Sequence, residues 1–223
     1  MKLAIVGYGK MGKLIDQLAP EYGFEVQARI DLADDPAQAR GADVAIEFTT
    51  PEAALRNIET LAALKVPMVV GTTGWTGQLD RARAAVEKHN GALVWSPNFS
   101  IGVNVFFRVV REAARLMACE PQYGAWAWEI HHHTKKDAPS GTLLKLVEEM
   151  RSAGYTHAID TAANRAGAHP GAHEVGFDSA ADTLTLRHTA RSREGFARGA
   201  LKAAQWLPGQ HGVYRFDEIL FER

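Results

Sequence analysis

The densest polar constellation in the chain is His131-His132-His133-Thr134-Lys135-Lys136-Asp137-Ala138-Pro139-Ser140-Gly141-Thr142. Three chemistries compete for it. In a metal site, adjacent histidines on a strand point to opposite faces, so His131 pairs with His133 rather than His132, and Glu129 is the third ligand in reach. As a solvated loop the histidines and lysines need no task, but Pro139-Ser140-Gly141-Thr142 is then unexplained. As an anion site every residue has a role: Ser140, Gly141 and Thr142 open a helix whose hydroxyls and free N–H groups converge on a carboxylate. Histidine and lysine beside them bring positive charge and a transferable proton. The third reading is the expectation, with no bound metal.

The other chemistry-bearing run is Gly7-Tyr8-Gly9-Lys10-Met11-Gly12. It satisfies G-x-G-x-x-G between an apolar run, Leu3 to Val6, and the helical spacing of Met11, Leu14, Ile15 and Leu18. Gly7 permits a tight turn, Gly9 lets backbone approach a pyrophosphate, and Gly12 lets helix and strand pack closely. N–H groups at the helix start hold the anion, so a dinucleotide is the expected ligand. Asp31 stands nineteen residues after Gly12, where an acid accepts from the adenosine ribose hydroxyls and repels a 2′-phosphate. NADH is therefore expected over NADPH, which stays admissible because Arg29 is a nearby base. Gly71-Thr72-Thr73-Gly74 and Ser96-Pro97-Asn98-Phe99-Ser100 follow the fourth and fifth predicted strands at their carboxyl ends, where open α/β sheets take ligands.

These segments need elements to hold them. Strands over Leu3–Val6, Glu25–Ile30, Val44–Phe48, Pro67–Val70 and Ala92–Trp95 alternate with helical patterns, the signature of a doubly wound parallel sheet. After Asn98 the pattern changes. A helix over Val103–Met117 leads to Ala125–His131, where Trp126, Trp128 and Ile130 share one face and Ala127, Glu129 and His131 the other, so one side is buried. A helix from Ser140 to Met150, a Gly, Ala and His-rich loop, and antiparallel strands over His173–Phe177 and Thr183–Thr189 complete a second, α+β domain with an open mixed sheet. A helix over Gly195–Leu207 and the stretch Val213–Phe221 could join either part. In a chain of 223 residues, 25 basic residues against 26 acidic ones give a net charge of −1 and no electrostatic pull toward nucleic acid or membrane. A lone Cys119 excludes an internal disulfide, and no apolar run is long enough to span a bilayer. A cytoplasmic protein with a small-molecule partner is expected.

Glu129, His131, His132, Lys135, Asp137, Ala138, Pro139, Ser140, Gly141 and Thr142 resemble the signature E-x-H-H-x-x-K-x-D-A-P-S-G-T of the dihydrodipicolinate reductases. The resemblance continues in Gly7–Gly12, in Asp43-Val44-Ala45-Ile46-Glu47-Phe48-Thr49 before Pro51-Glu52, and in Gly71–Gly74. It extends through Pro97–Asn104 and Arg165-Ala166-Gly167 to Phe196-Ala197-Arg198-Gly199-Ala200. It implies NAD(P)H-dependent reduction of 4-hydroxy-tetrahydrodipicolinate, or dihydrodipicolinate, to tetrahydrodipicolinate in the diaminopimelate route to lysine. His131 is the implied proton donor and Lys135 the catalytic lysine, while His132, Lys135, Ser140, Gly141 and Thr142 hold the carboxylates of a cyclic substrate. Implied cofactor positions are Gly7, Tyr8, Gly9, Lys10, Met11, Gly12, Asp31, Phe48, Gly71, Thr72, Thr73, Ser96, Pro97, Asn98 and Phe99. The resemblance also implies a dinucleotide domain of residues 1–100 completed by 196–223, a substrate and oligomerisation domain of residues 101–195, and a homotetramer, and closure is expected about hinges near Ser96–Asn98 and Gly195. The chain is shorter than typical members, Leu32 follows Asp31 where NADPH-accepting members often carry arginine, and Glu47 and Ser96 replace the commoner aspartate and alanine. A reductase of another dicarboxylate and a nucleotide sensor without turnover are the rival readings.

Overall fold

Leu3, Ala4, Ile5 and Val6 are all buried, as a strand must be when helices cover both faces of its sheet. The computed structural model describes residues 1–222. In chain order its elements are β1 (Lys2–Val6), α1 (Lys10–Leu18), β2 (Glu25–Ile30), β3 (Val44–Glu47), α2 (Pro51–Ala63), β4 (Met68–Val70), α3 (Leu79–Lys88), β5 (Ala92–Trp95) and α4 (Ile101–Met117). There follow β6 (Gly124–His131), α5 (Gly141–Ser152), β7 (Ile159–Arg165), β8 (Ala172–Asp178), β9 (Thr183–Thr189), α6 (Glu194–Trp206), β10 (Gly212–Arg215) and α7 (Phe216–Ile219). The chain divides into two units, Met1–Ile101 with the stretch from Arg193 onward, and Gly102–Ser192. The expected cuts after residues 100 and 195 thus shift. Helix α6 is capped at Arg193 and buries Ala197, Ala200 and Leu201 in the first core, so all of it belongs there.

The first unit is a six-stranded parallel sheet in the order β10-β5-β4-β3-β1-β2. Alternate residues feed two cores: Leu3 and Ile5 meet Ile15, Leu18 and Leu201, while Ala4 and Val6 meet Leu55, Ile58 and Val86. Pro51 at the first turn of α2 has the fixed φ a helix start needs. Because β1 lies between β2 and β3, the connections leaving β1 and β3 diverge, which opens a crevice at the carboxyl edge of the sheet. Strand β10 extends this sheet beside β5, so the chain's last stretch joins the first unit.

The second unit is a four-stranded mixed sheet, β7-β6-β8-β9, with β6 and β7 parallel and the other pairs antiparallel. Its covered face carries Ala125, Ala127, Glu129 and His131 of β6, which align with Phe177, Val175 and His173 of β8. Phe106, Val110 and Ala114 of α4 and Leu143, Leu146 and Met150 of α5 complete that core. The other face presents the half-buried Trp126, Trp128 and Ile130. Trp126 lies over Gly176, where a Cβ would come within 2.0 Å of its ring, and Arg187 sits 5.8 Å above Trp128. Strand β7 falls where the sequence predicted only loop. Its middle residues Asp160, Thr161 and Ala162 are all exposed on an edge strand, so burial imposes no alternation. No helix among the described residues is long and apolar enough to cross a membrane.

Candidate functional site

In the first unit, the expected dinucleotide residues gather at the carboxyl ends of parallel strands. Gly7 follows β1 with φ +97°, and its N–H donates to the Ile30 carbonyl at 2.8 Å. A Cβ on Gly12 would lie 2.3 Å from the Gly7 carbonyl oxygen, so this glycine is demanded by the turn itself. A Cβ on Gly9 would meet nothing within 4 Å, and Gly9 heads α1 with no side chain capping the helix. Open space over uncapped first-turn amides fits a pyrophosphate. Tyr8 of this loop donates its hydroxyl to Asp16 at 2.5 Å, and Asp16 also accepts from Arg29, so Tyr8, α1 and β2 are tied together.

Beyond β3, the Phe48 ring lies where a Cβ on Gly71 would be, 2.1 Å from its Cζ, and packs edge-on to Phe99 at 6.4 Å. Gly71 is thus a glycine to seat Phe48. Thr72 Oγ1 accepts from the Thr49 N–H at 2.7 Å, whereas the neighbouring Thr73 is exposed. Ser96 closes a tight loop, its hydroxyl donating to the Asn98 carbonyl at 2.8 Å and accepting from the Asn98 N–H at 3.1 Å; Pro97 between them is exposed. Beneath these loops lies Glu47, fully buried and hydrogen-bonded to Thr49 and Asn57; burial raises its carboxyl above the usual range. Asp31 borders a cavity of about 270 Å³ with Leu32, Asp34, Thr49, Glu52 and Arg56. Arg56, from α2, is a base near Asp31 that sequence spacing did not bring forward.

The second unit organises its polar segment around Glu129. One oxygen, Oε1, accepts the Ser140 N–H at 2.9 Å and Arg165 Nη2 at 2.8 Å. The other, Oε2, accepts the Ser140 hydroxyl and lies 3.2 Å from His173 Nε2 and 3.6 Å from His131 Nδ1. Strand register explains this convergence: Glu129 stands directly opposite His173, and His131 opposite Arg165. Burial opposes ionisation of Glu129, but hydrogen bonds from Ser140 and Arg165 outweigh it and hold the carboxyl below its ordinary range. Burial lowers His131, with Lys135 and Arg165 acting in the same direction and Glu129 against. Burial and the neighbouring His131 push His173 down to about 4.

Ser140 has structural bonds of its own. It is 2% exposed, caps α5 by accepting the Leu143 N–H at 3.2 Å, and spends its N–H and hydroxyl on Glu129. These bonds bolt the helix start to β6. Gly141, exposed, and Thr142, half-buried, follow it as first-turn residues whose amides have no intrahelical acceptor. Lys135 Nζ pairs with Asp137 at 2.7 and 2.9 Å, and the His132 Nδ1 contacts the Thr134 hydroxyl at 2.7 Å. Arg165-Ala166-Gly167 runs alongside: Ala166 N–H donates to the His131 carbonyl at 2.9 Å, and His133 turns away to the Gly167 carbonyl. The histidine pairing considered for a metal is therefore not formed. Glu129, His131 and His173 bring three donor atoms within 4.8 Å of one another instead.

Sequence reasoning missed His173 and Asp16, and quoted Arg165 only within a motif. The available signal for the first was chemical: a glutamate on the covered face of β6 must find buried partners.

Comparison with known proteins agrees with this geometry. Residues 1–99 match the family described as dihydrodipicolinate reductase, N-terminus, and residues 102–220 the one described as dihydrodipicolinate reductase, C-terminus. A 4-hydroxy-tetrahydrodipicolinate reductase of Christiangramia forsetii is 35% identical, aligned over 99% of this chain and 98% of its own. The compact length is thus shared with that relative. One from Archaeoglobus fulgidus is 34% identical over 99% of this chain and 100% of its own. A dipicolinate-bound dihydrodipicolinate reductase from Paenisporosarcina sp. TG-14 superposes with a TM-score of 0.77 at 21% identity, covering 98% of this chain and 99% of that one. With both halves matched and two relatives above 30% identity along the whole chain, this chain belongs to the dihydrodipicolinate reductase family.

Proposed function

We propose that the protein reduces 4-hydroxy-tetrahydrodipicolinate, or the dihydrodipicolinate formed by its loss of water, to tetrahydrodipicolinate. The observation that carries this reading is the segment that brings His131, His132 and Lys135 into the start of α5, set in a chain related end to end to such reductases. A reduced nicotinamide, when bound, supplies the hydride to ring carbon C4. Hydride addition leaves negative charge on the ring system, and a proton must close the balance. His131 donates it from its imidazolium, the form that burial disfavours and the Glu129 carboxylate favours. Lys135 stabilises the developing anion, exchanging its partner Asp137 for the substrate. His132, Gly141 and Thr142 hold the two carboxylates, with Ser140 fixing the helix start from behind. Gly7, Gly9 and Gly12 admit the pyrophosphate.

NADH is the favoured cofactor in this reading. Three acids, Asp31, Asp34 and Glu52, border the cavity against one base, Arg56, and the other nearby base, Arg29, is engaged by Asp16. The half-exposed tryptophan face of the second sheet supports assembly through that face, and a homotetramer is the proposed state. The test is a coupled assay: the aldolase product is generated in situ and loss of NADH absorbance is followed. Steady turnover supports the assignment, whereas NADH binding without turnover leaves a nucleotide sensor.

A further inference from the structure

His131 has one ring nitrogen sealed inside the protein. Its Nδ1 is buried without a hydrogen-bond partner, 3.6 Å from Glu129 Oε2. His173 Nε2 lies 3.2 Å from the same oxygen and is hydrogen-bonded to the Ser140 hydroxyl at 3.3 Å, and its ring packs edge-on to that of His131, centroids 5.0 Å apart. Gly171 closes in on the ring, where a Cβ would lie 3.0 Å from Cδ2 and Nε2. Neutralising Glu129 requires only Arg165 and Ser140, which already occupy both oxygens. Two imidazoles directed at Oε2 are surplus to that need. A cation among the three donors is the less fitting occupant, because Arg165 already places its charge on the same carboxylate.

We propose that Glu129 and His173 are positioning residues for proton transfer: Glu129 draws the Nδ1 proton of His131 so that Nε2 presents the transferable one, and His173 holds the Ser140 hydroxyl and Glu129 Oε2 in place. The proposal rests on the reading of His131 as the proton donor. A carboxylate beside a donor imidazole fixes its tautomer and favours its charged form. The charged groups facing His131 are Glu129 on its own strand, Lys135 and Asp137 on the following loop, Arg165 on β7 and His173 on β8, with His188 of β9 behind His173. Only Glu129 and Asp137 favour the imidazolium. Removing the Glu129 charge therefore lowers the pH at which His131 loses its proton.

The experiment uses the full-length protein and the variants Glu129→Gln, His173→Gln and His173→Phe. Glu129→Gln is expected to lower kcat about 10- to 100-fold with the NADH Kd unchanged. It should also move the alkaline limb of kcat/KM to lower pH, and ring 15N spectra should show His131 losing its single tautomer. His173→Gln, which keeps a side-chain donor for Oε2, should retain more kcat than His173→Phe. A folded Glu129→Gln with wild-type pH profile and His131 spectrum overturns the proposal. Should Glu129→Gln not fold, equal kcat in the two His173 variants overturns it. An active His131→Ala enzyme sinks the donor reading itself, whereas an inactive one beside an unperturbed Glu129→Gln sinks only the positioning.

Discussion

Asp16 clasps the guanidinium of Arg29 with both carboxylate oxygens, Nε to Oδ2 at 2.7 Å and Nη2 to Oδ1 at 2.9 Å. Arg29 is the last residue but one of β2, and Asp31 follows the strand's end directly, so the two stand close together at its carboxyl edge. The clasp therefore keeps occupied a cation that could otherwise offset Asp31 in front of a 2′-phosphate. The wild-type enzyme is expected to show a higher kcat/KM with NADH than with NADPH. Asp16→Asn should narrow that ratio by up to roughly fivefold, the scale of one released ion pair worth about 1 kcal/mol at most. Parallel titrations of both cofactors check this; an unchanged ratio would show that Arg29 plays no part.

Two glycines of the same loop separate folding from binding. Gly9→Ala places a methyl in empty space, so its melting temperature should stay at the wild-type value while NADH affinity falls, because the methyl stands where backbone must approach the pyrophosphate. Gly12→Ala drives a methyl to 2.3 Å from the Gly7 carbonyl and should instead lose several degrees. Calorimetry and fluorescence titration on both variants are the check, and a destabilised Gly9→Ala with normal NADH affinity contradicts the assignment.

Replacing His131 by alanine should depress kcat by about 10²- to 10⁴-fold, and replacing Lys135 by about 10²- to 10³-fold. Neither should move the NADH Kd more than about twofold, since both belong to the other unit. Pre-steady-state hydride transfer and equilibrium NADH binding, measured side by side, test the split.

The parallel sheet was legible because its inner strands β1, β4 and β5 are buried apolar runs bounded by turn residues, and because α2 buries the stripe its spacing announces, Ala54, Leu55, Ile58, Leu61 and Ala62. On β6 the alternation was equally plain, but hydropathy points the wrong way about which side is covered. The tryptophans lie on the half-exposed side, while the packed side carries two alanines, a glutamate and a histidine. Strand β7 left no trace, since an edge strand with exposed middle residues has no buried face to pattern. Within the site, the segment from His131 to Thr142 could be read as a unit. Its partner His173 could not, because β8 is antiparallel to β6, and only the register sets His173 opposite Glu129. The bond of Ser140 to Glu129 was hidden for a related reason: a serine heading a helix announces the cap, but not the buried carboxylate behind it.

Glu47 carries the last expectation. It is fully buried, one of its oxygens has no hydrogen-bond partner, and burial raises its carboxyl in the folded protein above the unfolded value. A raised carboxyl means the folded state holds this proton more tightly than the unfolded one. Its contribution to stability is thus best at low pH, and it is lost as pH climbs from the unfolded pKa through the folded one. Glu47→Gln keeps the side-chain length and an acceptor for Thr49 and Asn57 without carrying a charge. The variant should therefore melt higher than wild type at pH 8, by about 2–4 °C for each kcal/mol recovered. The gap should close toward pH 4, where both side chains are neutral. Melting curves of the two proteins at pH 4, 6 and 8 decide the matter: a constant difference across that range would mean that Glu47 is charged and satisfied throughout, held by Thr49, Thr72 and Asn57 more strongly than burial opposes it.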